Sequence, residues 1–255
     1  MITASRLRTL LFTFFSLAVC GCINYANGDA TERLPENIGP TIIESVSLNH
    51  AESQARNAAV KVVHPLGNSY GSGTYTIIKN THVVLTAAHV VDDNRRMIIS
   101  GRNGEMVVGE VIYTDFDADF AVIHVPRLRT RTPIPFNPRN ERSNNFIGDW
   151  TTYTGFPSGH DLTTITGRIV SIDASSDILI MHGYTWMGAS GSGVFDENGN
   201  YIGILVAVDV SRYRQTPQIV EDMVWVVPVR QLNLVSVYAK IEMHGHITEI
   251  PHVTD

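Results

Sequence analysis

Cysteine is almost absent from this sequence: of its 255 residues only Cys20 and Cys22 are cysteines, and both lie near the start. The remainder of the chain therefore cannot form an internal disulfide, although an exported protein would be free to carry one. We expect the folded part of the chain to be stabilised by packing alone.

Positive charge and long hydrophobic runs are also scarce. Lysine and arginine number 19 against 25 aspartates and glutamates, which gives a formal net charge of −6 and no basic face for nucleic acid. The apolar run from Thr9 to Val19 covers only eleven residues, too few to span a bilayer as a helix. We therefore expect no nucleic-acid partner, and no membrane span from this run.

The first 22 residues are typical of an export signal. Arg6 and Arg8 supply a positive start, and the apolar run follows them. The segment VCGC that ends at Cys22 resembles a bacterial lipoprotein cleavage box, in which Cys22 is the lipidated residue. Ordinary signal cleavage nearby, with cysteines present by chance, is the alternative. Both interpretations predict an exported protein, either held at a membrane in the periplasm or at the cell surface by that lipid, or secreted.

Composition divides the rest of the chain into three parts. Residues 23–56 are polar and contain Asn, Gly and Pro, which predicts a linker or tether. Residues 57–243 form the predicted folded domain, and residues 244–255 form a polar tail. Helix-favouring residues from Ala51 to Val60 predict a short helix where linker and domain meet.

The predicted domain consists of short runs rich in Val, Ile, Thr and Tyr, separated by turn residues. This pattern predicts an all-β fold, either a sandwich or a pair of barrels. Pro228 begins a predicted C-terminal helix that continues to about Glu242, with Leu232, Val235 and Tyr238 available for one face.

Three segments carry the residue types of acyl-transfer chemistry. LTAAHVV contains His89, DADFAVI contains Asp119, and GASGSGVF surrounds Ser190 with glycines. A serine hydroxyl is a weak nucleophile at neutral pH and needs a nearby base, for which histidine is suited by its pKa. A carboxylate behind the histidine fixes its tautomer and stabilises its cation.

Each candidate has rivals in the sequence. Asp115 and Asp117 compete with Asp119, but a carboxylate next to the apolar strand would be partly buried and would need an imidazole N–H as its partner. Ser192 competes with Ser190, and the distance of two residues from Gly188 favours Ser190.

On these residues the chain resembles the trypsin-like serine proteases with a chymotrypsin fold, especially the DegP/HtrA-type and V8-like bacterial branches. Thr86–His89 is similar to the family's histidine motif, Asp117–Val122 to its aspartate motif and Gly188–Ser192 to its serine motif, in the family's order. The resemblance covers roughly residues 57–240. It implies two six-stranded antiparallel β-barrels, at about 57–140 and 141–229, and then the C-terminal helix.

The resemblance also implies a function. The chain would be a serine endopeptidase that cleaves polypeptides through an acyl-enzyme and needs no cofactor. His89 and Asp119 would lie on one barrel and Ser190 on the other, with the backbone N–H groups of Gly188 and Ser190 as the oxyanion hole. Ala189 stands where the family often has a polar residue, and Gly193 where it usually has proline, so the turn is expected to be looser.

The expected substrate pocket is apolar. V8-like enzymes have a pocket histidine where this chain has Leu205, and trypsins keep an acid where it has Tyr184, so neither Glu nor Lys/Arg specificity is expected. Leu205, Val206 and Ala207 form the predicted wall, with Tyr184 beside it. We expect a small or medium apolar residue at the cleavage position, and no regulatory PDZ-like domain.

Other functions fit parts of the pattern. A binding or structural protein on a protease scaffold that has lost its activity is the main alternative, since Ala189 and Gly193 depart from the family. An α/β-hydrolase esterase would need serine, acid and histidine in that chain order, together with alternating helices. The histidines do not form a compact ligand set, so no metal is expected; those considered are His182, His244, His246 and His252.

Overall fold

The structure is a computed structural model that describes residues 47–213 and 216–248. The predicted export signal with Cys22, most of the predicted linker and residues 249–255 lie outside the described residues. Within the described ranges, no helix combines the length and the apolar character needed to cross a membrane.

The described chain is mostly strand. The strands are β1 (Ala59–Val63), β2 (Tyr70–Ile78), β3 (Thr81–Thr86), β4 (Arg96–Ser100), β5 (Met106–Asp115), β6 (Phe120–His124), β7 (Ile134–Pro135), β8 (Trp150–Gly155), β9 (Thr163–Asp173), β10 (Ile178–His182), β11 (Gly193–Asp196), β12 (Tyr201–Tyr213) and β13 (Thr216–Pro228). The helices are α1 (His50–Ala58), α2 (Ala88–Val91) and α3 (Leu234–Thr248), with 3-10 turns at Ser143–Phe146, Pro157–Gly159 and Val229–Gln231.

The strands close into two barrels. In the first barrel the neighbours follow the order β1-β4-β5-β6-β3-β2, and β2 pairs back to β1, with all pairs antiparallel. The short β7 adds to β2 in parallel. The second barrel is closed in the order β10-β13-β12-β11-β8-β9, again antiparallel. The predicted pair of six-stranded barrels followed by a C-terminal helix is confirmed.

The strands that carry the site are buried on both faces. On β6, Ala121 and Ile123 pack inside the first barrel, whereas Phe120 and Val122 belong to an apolar cluster shared with the second barrel and α3. Successive side chains of a strand point to opposite faces, so a strand placed between two cores is apolar along its whole length. The strand ends are therefore anchored where the two barrels meet.

Helix α1 corrects the predicted linker. Asn49 caps it, because its side chain accepts the N–H of Glu52 while the Glu52 carboxylate accepts the N–H of Asn49, both at 2.9 Å. Ala51, Ala55 and Ala58 are buried, and the helix packs on β8, β9 and β11. Residues 50–56 therefore belong to the fold, since small alanines allow close packing on the second barrel.

Helix α3 also differs from its prediction. It begins at Leu234, after a 3-10 turn, and continues to Thr248, so residues 244–248 are helical and are not part of a tail. Val235 is 81% exposed, whereas Val237 and Ile241 are fully buried. The prediction that Val235 lies on the buried face of the helix was wrong. The 3-10 turn at Val229–Gln231 and the break before Leu234 separate Leu232 from the helix, so the spacing of one continuous helix does not apply.

Candidate active site

Ser190 lies on a loop between β10 and β11 whose shape depends on two glycines. The carbonyl of Trp186 accepts the N–H of Ala189 at 3.1 Å, and Gly188 within that turn has a φ of +99°. Such a turn needs a positive φ at its third residue, which glycine adopts at little cost. Gly191 follows with a φ of +90°. The chain thus bends on both sides of Ser190 and leaves that residue partly exposed.

His89 and Asp119 are in direct contact. His89 lies on the short helix after β3, and Asp119 lies in the turn before β6. The Nδ1 atom of His89 is 2.7 Å from Oδ2 of Asp119, and the backbone N–H of His89 donates to Oδ1 at 2.9 Å. An ionised carboxylate only accepts hydrogen bonds, so Nδ1 carries the proton and Nε2 is left as an acceptor.

The hydroxyl of Ser190 has a different acceptor. Its Oγ donates to the carbonyl of Val206 at 3.4 Å, and it makes no hydrogen bond to His89 within the described ranges. Gly71 on β2 nevertheless lies close both to Ser190 and to Val90, the residue after His89. A Cβ at Gly71 would lie 2.5 Å from the side chain of Val90 and 2.9 Å from the carbonyl of Ser190.

The N–H groups of Gly188 and Ser190 have no acceptor among the residues that the structure describes. Their neighbours Ala189 and Gly191 both donate to backbone carbonyls. Two unpartnered N–H groups beside a partly exposed hydroxyl are the donors that a developing oxyanion requires.

The predicted pocket residues lie in different surroundings. Tyr184 is 45% exposed, and its carbonyl accepts the hydroxyl of Tyr153 at 2.7 Å. Burial raises the pKa of Tyr153, so this hydroxyl keeps its proton at neutral pH. Leu205 packs inside the second barrel, Val206 belongs to the cluster shared by the barrels, and Ala207 is partly buried. Of these four residues, Tyr184 exposes the most surface.

The rival residues serve the local structure. The hydroxyl of Ser192 is fully buried and donates to the carbonyl of Ala189 at 2.7 Å. The carboxylate of Asp115 accepts the backbone N–H groups of Asp117 and Ala118 at 3.0 and 3.1 Å. The carboxylate that holds His89 is that of Asp119.

Ala189 and Gly193, the two residues at which the chain departs from the family motif, both make defined contacts. Ala189 is fully buried in the core of the second barrel. The N–H of Gly193 donates to Oγ1 of Thr74 at 3.0 Å, a bond that a proline could not make. Both residues are thus held in place by contacts within the core.

Ser72 contacts the serine loop although its sequence position did not single it out. It is fully buried on β2, and its hydroxyl donates to the carbonyl of Gly188 at 2.7 Å while its N–H donates to the carbonyl of Ser190 at 2.8 Å. The segment Gly71–Gly73 repeats the Gly-Ser-Gly pattern of the serine loop, which is the one signal that points to it.

No group of three or more His, Cys, Asp or Glu side chains in the described chain is arranged to hold a metal ion. Of the histidines considered as ligands, His182 lies 3.6 Å from Asp222 and His244 lies 3.7 Å from Glu110. His252 lies outside the described residues.

Comparison with known proteins gives matches in sequence. The family model of the trypsin-like peptidase domain matches residues 71–204. A Synechocystis protein named "Putative serine protease HhoA" is 30% identical over 148 residues, which are 54% of this chain and 37% of that protein. A Bartonella henselae protein named "Probable periplasmic serine endoprotease DegP-like" is 25% identical over 146 residues, 55% of this chain and 28% of that protein. The matches thus span well under half the length of these relatives.

The fold has solved counterparts. The crystal structure of the serine endoprotease from Yersinia pestis superposes with a TM-score of 0.58 at 22% identity, covering 76% of this chain and 66% of that one. At this identity the likeness concerns the arrangement of the two barrels.

Proposed function

The chain belongs to the family of trypsin-like peptidase domains, and from this we propose that it is an exported serine endopeptidase that acts through His89, Asp119 and Ser190. The observation that carries the proposal is the pair of hydrogen bonds by which Asp119 holds His89 and leaves Nε2 free to take a proton. The free N–H groups of Gly188 and Ser190 beside the hydroxyl support it.

The proposed reaction has two halves. Ser190 Oγ attacks the peptide carbonyl carbon as its proton passes to Nε2 of His89, and the carbonyl oxygen becomes an oxyanion that accepts from the N–H groups of Gly188 and Ser190. The C–N bond then breaks, the leaving amine takes the proton from His89, and an acyl-enzyme remains. Water attacks this ester with His89 again as the base, which frees the acid and restores the serine hydroxyl.

The hydroxyl of Ser190 has to turn before the reaction. Its bond to the Val206 carbonyl is 3.4 Å long, beyond the usual range for an O–H donor, and so holds the side chain weakly. Catalytic hydrogen bonds are often long or poorly aligned in free enzymes and shorten when substrate binds. The proposed reaction therefore begins with release of the Ser190 hydroxyl from the Val206 carbonyl.

We propose polypeptides as substrates and a small or medium apolar residue at the cleavage position. Tyr184, which is exposed, and Ala207, which is partly buried, carry this proposal, and neither bears a charge that would select Glu, Lys or Arg. The side chains of Leu205 and Val206, also predicted for the pocket wall, are buried. A peptide library cleaved preferentially after one of these three residues would contradict it. No cofactor takes part in the proposed steps.

Export and lipid attachment at Cys22 belong to the same proposal. Positive charges followed by an apolar run support export, and a relative named as a periplasmic DegP-like endoprotease is consistent with it. Intact mass of the protein produced in a bacterial host tests both points. We expect a chain that begins at Cys22 and carries acyl groups, and a mass without acyl groups would leave secretion as the outcome.

A binding protein that has lost peptidase activity is the second candidate. The observation in its favour is that Ser190 donates to Val206 and not to His89. It would retain the two barrels but would have no nucleophile, because the hydroxyl of Ser190 would stay bonded to the carbonyl of Val206.

Covalent labelling separates the two candidates. Purified protein is incubated with a fluorophosphonate probe, alongside Ser190→Ala, His89→Ala and Ser143→Ala. Ser143 is a fully buried serine on a 3-10 turn whose hydroxyl accepts from Arg230, so its variant controls for the loss of a buried hydroxyl elsewhere. We expect labelling of the wild type and of Ser143→Ala only. No labelling of a folded wild type would favour the binding protein.

A further inference from the structure

The backbone carbonyls that lead up to Ser190 are all held by serine donors. The bonds are Ser158 N–H to Met187 O at 2.8 Å, Ser72 Oγ to Gly188 O at 2.7 Å, Ser192 N–H and Oγ to Ala189 O at 3.0 and 2.7 Å, and Ser72 N–H to Ser190 O at 2.8 Å. Four consecutive carbonyls are thus held, three from outside the loop and that of Ala189 by Ser192 within it.

Fixing these carbonyls fixes the N–H groups that the proposed reaction uses. In a planar trans peptide the C=O of one residue and the N–H of the next point in opposite directions. The bond from Ser158 to Met187 therefore directs the N–H of Gly188 away from Ser158. The bonds from Ser192 to the Ala189 carbonyl likewise direct the N–H of Ser190 away from Ser192. The carbonyl of Gly188 lies between these two peptides, and the hydroxyl of Ser72 holds it.

The hydroxyls of Ser72 and Ser192 lie close together although they come from different barrels. Both face Gly155 at the end of β8, where a Cβ would collide with Ser192 Oγ and lie 2.8 Å from Ser72 Oγ. Ser72 Oγ also accepts the N–H of Phe156 at 3.0 Å. Both serines are fully buried, so water does not compete for these bonds.

Ser72 also connects the loop to the histidine. Its carbonyl accepts the buried hydroxyl of Thr86 at 2.7 Å, and Thr86 ends the strand that leads into the helix of His89. One residue of the first barrel thus contacts the oxyanion loop on one side and the segment that carries the base on the other.

We propose that Ser72 is a positioning residue for the oxyanion hole and that Ser192 supports it, an inference that rests on the proposed peptidase function. Ser72 Oγ keeps the peptide between the two donors from rotating, so that the N–H groups of Gly188 and Ser190 stay aimed at one point. The chain has Ala189 where the family often has a polar residue, and in this chain the two buried hydroxyls hold the carbonyls on either side of that position.

The test compares Ser72→Ala and Ser192→Ala with the wild type, with Ser72→Thr as the variant that keeps a hydroxyl and Ser143→Ala as the control. Turnover is measured on the peptide nitroanilide that the wild type cleaves fastest. Binding of a peptide boronic acid, whose adduct places an oxygen in the hole, is compared with binding of the same peptide as a simple amide. Thermal unfolding is followed for every variant.

We expect Ser72→Ala to lower kcat by about 10- to 100-fold with KM nearly unchanged, because a small misplacement of a catalytic group can cost about 10²-fold. Boronic acid affinity should fall by a similar factor while amide binding stays constant. Ser192→Ala should show a smaller effect, since its N–H still holds Ala189, and Ser72→Thr should recover part of the loss.

A merely structural role predicts another result. Ser72→Ala would then lower the unfolding temperature, as is expected of Ser143→Ala, and leave kcat and boronic acid affinity of the folded fraction unchanged, which would overturn the inference. If Ser72→Ala does not fold, Ser192→Ala decides. Equal boronic acid affinity of Ser192→Ala and the wild type would overturn the inference, whereas a loss of boronic acid affinity with amide binding unchanged would support it. A wild type that neither hydrolyses nor labels overturns the proposed function as well, whereas an active wild type with an unaffected Ser72→Ala overturns the inference alone.

Discussion

The carboxylate of Asp119 holds His89 at two places, the ring and the main chain. Oδ2 accepts from Nδ1 at 2.7 Å and Oδ1 accepts from the backbone N–H at 2.9 Å. The ring therefore cannot turn without giving up one of two charge-assisted bonds. Asp119 itself has a φ of +48°, a left-handed conformation that Asp tolerates better than most residues. In this turn before β6, both carboxylate oxygens point at His89.

Replacing Asp119 by Asn should nearly abolish turnover while preserving the fold. The amide oxygen can still accept the backbone N–H, but the NH₂ group faces Nδ1 and forces the proton onto Nε2. In Ser-His-Asp triads this change lowers kcat by about 10⁴-fold. Steady-state hydrolysis and thermal unfolding measure the two effects. Asp117→Asn is the matched control, and an equal loss of kcat in that variant would show that the wrong carboxylate has been chosen.

Gly155→Ala should impair both stability and activity. The new methyl group would collide with Ser192 Oγ and lie 2.8 Å from Ser72 Oγ, so both hydroxyls must move. Overpacking of this kind costs about 1–3 kcal/mol of unfolding free energy. Hydrolysis should fall by at least about 10-fold, because the oxyanion loop loses its restraints.

Gly67→Ala provides the control for Gly155→Ala. A Cβ at Gly67 would meet nothing within 4 Å. The substitution is unfavourable only because the φ there is +69°, a left-handed conformation that costs a non-glycine residue about 1–2 kcal/mol of unfolding free energy. Activity of this variant should equal that of the wild type. Full activity in Gly155→Ala would mean that the loop adjusts without its two serines.

The C-terminal helix should be stabilised by one face only. Ile241 is fully buried in the cluster shared by the two barrels, so Ile241→Ala should cost about 2–5 kcal/mol in urea unfolding. Val235 is 81% exposed, and Val235→Ala should change the free energy by no more than about 0.5 kcal/mol. Equal costs at the two positions would place the helix in a different rotation.

Acidification should destabilise the first barrel through its histidines. Burial lowers the pKa of His82, and burial together with His244, whose ring is centred 4.3 Å away, lowers the pKa of His124, while Glu110 partly opposes this. The unfolded chain then takes up protons first, near pH 6.5. Stability is therefore complete above that pH and is lost as the pH falls towards the folded-state values.

Urea unfolding measures this effect at pH 7.5, 6.5 and 5.5, a series that spans the ordinary histidine pKa of about 6.5. We expect the wild type to lose stability across the series and His124→Gln, which cannot be protonated, to lose less. The same pH slope for both proteins would assign the effect to other groups.

Much of the fold could be predicted because some of its strands, such as β6, are buried on both faces. Phe120 to Ile123 is apolar at every position, and runs of this kind between turn residues indicate an all-β fold, either a sandwich or a pair of barrels. The resemblance to trypsin-like serine proteases was needed to predict two barrels. Asp119 and His89 were identifiable because each stands where an apolar strand meets small or polar residues, and because the family that the chain resembles has these residue types in this order.

Residues with weak local patterns could not be predicted. β12 and β13 continue past Val208 as a two-stranded ribbon, where Val210 pairs with Ile219 and both are exposed, so no alternation of burial marks these strands. The role of Ser72 depends on contacts with residues 116 and 118 positions away in the chain, Gly188 and Ser190. No spacing rule within one sequence reveals partners so distant.

The division of the site between the barrels sets an order in time. His89 and Asp119 are complete once β6 has been made, whereas the loop of Ser190 is fixed by Leu205 and Val206 on β12, in a barrel that closes only with β13. A chain still leaving the ribosome thus has its base long before it has a positioned nucleophile. Under the proposed function, an unfinished chain would therefore have no positioned nucleophile with which to cleave neighbouring proteins.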